Sequence, residues 1–115
     1  MALWNQSKNE LVVRKVILCR NFWSRLRGLL GTEPLAQDAA CWIEPCNAIH
    51  TFGMRYSVDV FFLDARGKVV GIKQNMKPNR LSRIYFGARV ALEMVARKPQ
   101  KNIHVGDCLT LVTER

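Results

Sequence analysis

Between Met54 and Met76 the sequence leaves the backbone little choice. Met54, Tyr56, Val58, Val60 and Phe62 occupy alternate positions and are all apolar, with Arg55, Ser57, Asp59, Phe61 and Leu63 between them. In a strand successive side chains point to opposite faces, so one face of this segment is wholly apolar and the other becomes apolar half-way along. Such a strand begins half-exposed and ends covered on both sides. Asp64-Ala65-Arg66-Gly67 follows with the acid-first, glycine-last pattern of a type I turn. Lys68 to Met76 then returns with Val70 and Ile72 matching the apolar face. This predicts a β-hairpin with its first strand inside a sheet.

The flanking segments extend the sheet. Glu10 to Arg20 is rich in β-branched residues and reads as one strand. Asn21 is a good helix N-cap, and Phe22, Trp23, Leu26, Leu29 and Leu30 form a stripe that Gly31 ends, which predicts a short amphipathic helix packed on the sheet. Ala40 to Glu44 reads as a brief strand stopped by Pro45, and Cys46 to Gly53 as a structured loop. After the turn at Lys77 to Arg80, Leu81 to Phe86 has no clear period. The segment 88–95 alternates as a strand despite its helix propensity, and Cys108 to Thr113 closes the chain after a turn at His104 to Asp107. The expected architecture is mainly β, a compact antiparallel barrel or sandwich carrying one short helix. Residues 1–115 form a single domain in this reading, with a core over about 10–113.

Composition narrows the classes. With 49% apolar and 23% charged residues the chain is globular in character. No run reaches the roughly 18 apolar residues of a spanning helix, and MALWNQSKNE lacks the apolar region of a signal peptide, so a cytoplasmic location is expected. The cysteines at 19, 41, 46 and 108 are then expected to be reduced. A net charge of +9 attracts polyanions, which is a statement about steering and not about function.

Candidate chemistry concentrates between Cys41 and Asp64. Cys41, Cys46 and His50 have the spacing C-x4-C-x3-H, which could place two thiolates and an imidazole on one metal ion, with His104, Cys108 or Cys19 as a fourth ligand. The spacing lacks a tight knuckle, and Cys41 shares a strand face with Ile43 where a small buried thiol is ordinary, so no metal or other cofactor is assigned. A nucleophilic reading pairs Cys46 with His50 and uses Asp59 to orient the imidazole. Against it stands a packed Cys46 and a His50 that hydrogen-bonds its own loop. Asp59 interrupts a β-favouring run beside Phe61, where a carboxylate needs a donor. Arg55, four residues along the strand, lies about 13 Å away at roughly 3.4 Å per residue, so Arg89, loop amides or His50 are the expected partners. Arg80, Arg83, Arg89, Arg97, Lys98 and Lys101 with Tyr85 and Phe86 suggest a nucleic-acid surface, but no base-reading motif accompanies them and this class is not favoured.

The segment CNAIHTFGMRYSVDVFFLD resembles DUF192, a bacterial and archaeal family defined as a domain of unknown function. RLRGLLG, GKVVGI, VALEM and HVGDCLTL resemble further segments of that family, and the likeness runs over roughly residues 12 to 112. The resemblance implies a mostly β single domain without an established activity, and carries Cys46, Asn47, His50, Thr51, Met54 and Asp59 onto the family's motif positions. Two features depart from it. Many relatives look exported, and a small Pro-Ala-Gly turn after Leu-Glu is replaced here by Met94-Val95-Ala96-Arg97. The reading that unites these observations is a small β domain binding a small or anionic ligand at the Cys46 to Gly53 loop, with Asn47, His50 and Thr51 as polar contacts and Asp59 fixing the loop from below. A cysteine/histidine enzyme and a basic nucleic-acid module are the alternatives, and the sequence is silent on oligomeric state.

Overall fold

The structure, a computed structural model, describes residues 1–19, 39–54, 56–96 and 101–113. These form eight strands: β1 Ala2–Asn5, β2 Glu10–Val13, β3 Lys15–Cys19, β4 Ala39–Ile43, β5 Val58–Leu63, β6 Val69–Met76, β7 Val90–Val95 and β8 Leu109–Val112. No helix occurs among the described residues, and the helix expected over 21–31 lies outside them.

The expected hairpin is β5–β6, paired antiparallel. Its turn closes with the Gly67 N–H donating to Asp64 O at 3.0 Å. The Asp64 carboxylate accepts the backbone N–H groups of Arg66 (2.8 Å) and Lys68 (3.0 Å). The Lys68 N–H in particular holds the Asp64 pKa below its ordinary value. Gly67 is required twice over: its φ is +86°, and a Cβ there would meet Leu109 O at 2.4 Å. β5 starts at Val58 and not at Met54, because Gly53 at φ +81° and the Met54 N–H donating to Thr51 O (3.1 Å) make a turn of the preceding residues.

The larger sheet has the order β3-β4-β7-β5-β6, which makes β5 and β7 interior strands. Every residue of β5 is buried, in keeping with a central position. β3 and β4 pair in parallel, the exception in a mainly antiparallel architecture. Parallel neighbours need a long connection, and β3 and β4 are far enough apart in the sequence to allow one. The smaller sheet, β2-β1-β8, is antiparallel. It divides the single strand expected over 10–20: Val12 and Val13 are both buried, and the chain bends at Arg14 from the small sheet into the large one.

Two apolar clusters lie on the two faces of the large sheet. Between the sheets, Leu3, Val13 and Leu109 meet Phe61, Leu63, Leu92 and Met94. On the other face, Val60, Phe62, Met76 and Ala91 lie under Cys46, Ile49, Met54 and Tyr85 from the connecting loops. The barrel alternative is not formed. β3 and β6 remain edges of the large sheet, and an isolated Lys68–Cys108 bridge joins the start of the hairpin to the end of the small sheet. At the β6 edge, Val58 opposes Met76 while Val60 opposes Lys73, so three steps on β6 answer two on β5. This bulge disrupts the outer edge as a pairing template.

Candidate functional site

The second cluster is covered by two extended stretches, residues 45–54 and 77–89, which hydrogen-bond to each other as irregular antiparallel straps. Cys46 N–H donates to Arg89 O and Tyr85 N–H to Asn47 O, each at 2.8 Å. Ser82 N–H donates to Ile49 O at 2.8 Å and Thr51 N–H to Arg80 O at 2.9 Å. Cys46, Ile49, Thr51 and Tyr85 are the buried side chains turned inward from these stretches. Tyr85 stacks on Phe62 with ring centroids 4.1 Å apart, and lies so close over Gly71 that a Cβ there would sit 2.2 Å from the tyrosine ring.

Thr51 is the latch between the straps. It is fully buried; its hydroxyl donates to Lys77 O at 2.7 Å and accepts the Arg80 N–H at 2.9 Å. Thr51 O in turn accepts the Asn79 N–H at 2.9 Å, and Asn79 Oδ1 accepts the Gly53 N–H at 3.1 Å. Asn79 takes φ +61°, a conformation asparagine tolerates better than most residues.

The remaining expected site residues are dispersed around this latch. His50 is exposed, its Nδ1 accepts the Phe52 N–H at 3.3 Å, and its ring stacks on Phe52 at 5.1 Å. Asn47 is exposed beside Arg89 in a recess of about 400 Å³ at the other end of the strap. Cys46 is buried, and its thiol donates to the Ala48 carbonyl at 3.1 Å, within its own loop. Cys41 is buried on the loop-facing side of β4, opposite Glu93 in the register. Among the described residues no three His, Cys, Asp or Glu side chains converge as a metal-ion ligand set.

Asp59 faces the other way. Val60 and Phe62 point toward the straps, so by alternation Asp59 shares the inter-sheet face with Phe61 and its register partner Met94. Its Oδ1 accepts the N–H of Asn75 at 2.8 Å, and its Oδ2 is buried with no hydrogen-bond partner among the described residues. Asn75 is in the β6 bulge at φ +51°, and Asp59 therefore satisfies an N–H that the ladder leaves over. None of the partners expected for Asp59 makes this bond: the amide belongs to β6 and not to the Cys46 to Gly53 loop, Arg89 pairs with Glu44, and His50 bonds its own loop.

Beside the latch lies a recess whose lining includes none of these expected residues. Lys73, Asn75, Met76, Lys77, Arg80 and Leu81 line this recess of about 230 Å³ where the bulge meets the second strap. Thr51 holds the backbone of Lys77 and Arg80, Asp59 holds that of Asn75, and His50 bridges to Leu81. Three of the lining side chains are cationic and none is acidic. In the sequence Lys77 to Arg80 reads as a turn, with Arg80 also counted among the cations of a nucleic-acid surface; the signal for an anion recess is the absence of any Asp or Glu between Asp64 and Glu93.

A second cluster was also missed. Asp107, in the turn before β8, accepts hydrogen bonds at Oδ2 from Asn5 Nδ2 (3.0 Å), from the His104 N–H (3.0 Å) and from the Lys8 ammonium. The Lys8 hydrogen bond is the largest cause of a pKa lowered to about 2, with Asn5 and His104 adding to it against the opposing effect of burial. His104 Nδ1 is 2.8 Å from Lys8 Nζ, which completes a clamp between the β1–β2 turn and the β8 turn.

The family model for DUF192, described as an uncharacterized ACR, matches residues 3–111. The chain belongs to the DUF192 family. A UPF0127 protein of Thermococcus sibiricus is 32% identical over 111 residues, covering 91% of this chain and 71% of that protein. Among solved structures, a Novosphingobium aromaticivorans protein of unknown function superposes with a TM-score of 0.78 at 16% identity, over 96% of this chain and 82% of its own. A Sinorhizobium meliloti protein described as a candidate transcription regulator gives 0.74 at 19% identity, over 95% and 89%. At those identities the likeness shows a shared fold and nothing about ligands. No helix among the described residues is long and apolar enough to cross a membrane.

Proposed function

We propose that this DUF192 domain binds a small anionic ligand in the recess between the β6 bulge and the second strap. The observation that carries the reading is the convergence of Lys73, Lys77 and Arg80 in a lining without a carboxylate. Like charges gathered in a concave site focus a positive potential, and a bound anion relieves their mutual repulsion. Arginine offers a planar fork for carboxylate or phosphate oxygens, while the two lysines supply movable point charges. The Arg80 Nη1 lies 3.5 Å from Pro78 O and 3.4 Å from Asn79 O, long contacts that a stronger anionic acceptor can replace. Thr51 and Asp59 act as framework by fixing the backbone of the lining residues, and His50 stands at its rim through Leu81. Asn47 belongs to the neighbouring recess with Arg89.

The test is calorimetric titration and thermal melting with phosphate, pyrophosphate, citrate and nucleotides at low salt. At least one anion is expected to saturate and to raise the melting temperature, weakening as salt screens the site. Arg80→Ala with Lys77→Ala is expected to reduce that affinity at least about ten-fold. No saturable anion, or an affinity unchanged in the double variant, overturns the reading.

A further inference from the structure

The outer surface of the two straps has a composition that the recess does not explain. Phe86 is 87% exposed, Leu81 71%, Phe52 52% and Ile84 50%. All four are on residues 45–54 or 77–89, and the His50–Leu81 bridge places the two straps edge to edge. The inward positions are already filled by Ile49, Thr51 and Tyr85, so these apolar side chains serve no part of the core. Lys77, Arg80 and Arg83 are exposed among them, while Arg89 is paired with Glu44 at 3.2 Å. From Pro45 to Val58, and again from Ala65 to Leu92, the sequence contains no acidic residue. A patch of exposed apolar groups with cations and without carboxylates is complementary to a surface that is apolar beneath and anionic on top.

We infer that the strap surface docks on an anionic lipid bilayer, with Phe52, Leu81, Ile84 and Phe86 entering the headgroup boundary and Lys77, Arg80 and Arg83 resting on phosphates. Single-stranded nucleic acid fits the same charge and could stack on Phe52 and Phe86, but it leaves the likewise exposed Leu81 and Ile84 without a partner. Bases stack on open aromatic faces, whereas Leu81 and Ile84 offer none; Tyr85 is buried, with Phe62 at 4.1 Å on its ring and the Arg83 guanidinium 4.4 Å from its centroid. Attachment of this kind needs no spanning helix. Near an anionic leaflet each cation contributes about a five-fold gain in partitioning, and the apolar side chains add a part that salt does not screen.

The experiment is co-sedimentation of the full chain with phosphatidylcholine vesicles, with and without phosphatidylglycerol. Expected is binding that requires phosphatidylglycerol, falls with salt and drops at least about ten-fold in Ile84→Ser/Phe86→Ser. Both positions are exposed and neither lines the recess, so the variant is expected to melt as the parent does and to keep any anion-induced melting shift. That separates this surface from the recess reading: loss of vesicle binding with the anion shift retained supports docking. Vesicle binding that persists undiminished in the double variant overturns it, as does retention of single-stranded oligonucleotides without retention of vesicles.

Discussion

Thr51 illustrates how one hydroxyl can hold two segments of chain that share no regular ladder. As donor to Lys77 O and acceptor from the Arg80 N–H, it satisfies both groups while itself fully buried. Thr51→Val keeps the shape and removes both bonds, leaving a carbonyl and an amide unpaired. The expected cost is about 2–3 kcal/mol in urea unfolding, with anion affinity reduced because Lys77 and Arg80 lose their fixed backbone. A loss below about 0.5 kcal/mol would show that water replaces the hydroxyl without penalty. Thr51 was legible as part of a polar motif but not as a latch, because its partners lie 26 and 29 residues away. Asp59 was legible as an anomaly for a sound reason, a carboxylate beside Phe61. Its partner was not, since the bulge that leaves the Asn75 N–H free depends on the β5–β6 register.

Among the elements, the β5–β6 hairpin could be read because period-two alternation and its turn chemistry agree within a single stretch of chain. β1 could not. It is four residues long and ends in Asn5, a polar side chain that is 1% exposed because Asp107, 102 residues on, accepts its hydrogen bond. That same clamp makes the small sheet sensitive to acid. The folded pKa of Asp107 is about 2 against an ordinary 3.8, so the clamp contributes its full stability above 3.8 and loses it as pH falls toward 2. At this partly solvated position the contribution is roughly 1–2 kcal/mol. Urea midpoints measured from pH 6 down to pH 2 are expected to fall more steeply in the parent than in Asp107→Asn, with the gap between them narrowing over that window. Parallel curves would remove Asp107 from the account of acid stability.

At the scale of the molecule, the large sheet separates two interiors of different origin. The one between the sheets is made by strands on both sides, whereas the other is made by strands below and straps above. Strap hydrogen bonds are few and irregular, so this cover is expected to open at a lower free energy than the sheet itself. The thiols report the difference: Cys108 is half-exposed at the sheet margin, Cys46 is 7% exposed under the straps, and Cys41 is 1% exposed within β4. In a Cys19→Ser background, native-state alkylation should therefore label Cys108 first, Cys46 through strap opening, and Cys41 with global unfolding. The rate at Cys46 should rise only weakly with denaturant, since a local opening exposes little surface, while the rate at Cys41 should rise with the full global dependence. An anion seated against Lys77 and Arg80 should slow Cys46 and leave Cys108 unchanged, because it ties the strap to the β6 bulge. Should Cys46 and Cys41 share one denaturant dependence, the straps unfold with the sheet, and the recess is a fixed part of the fold and not a separable cover.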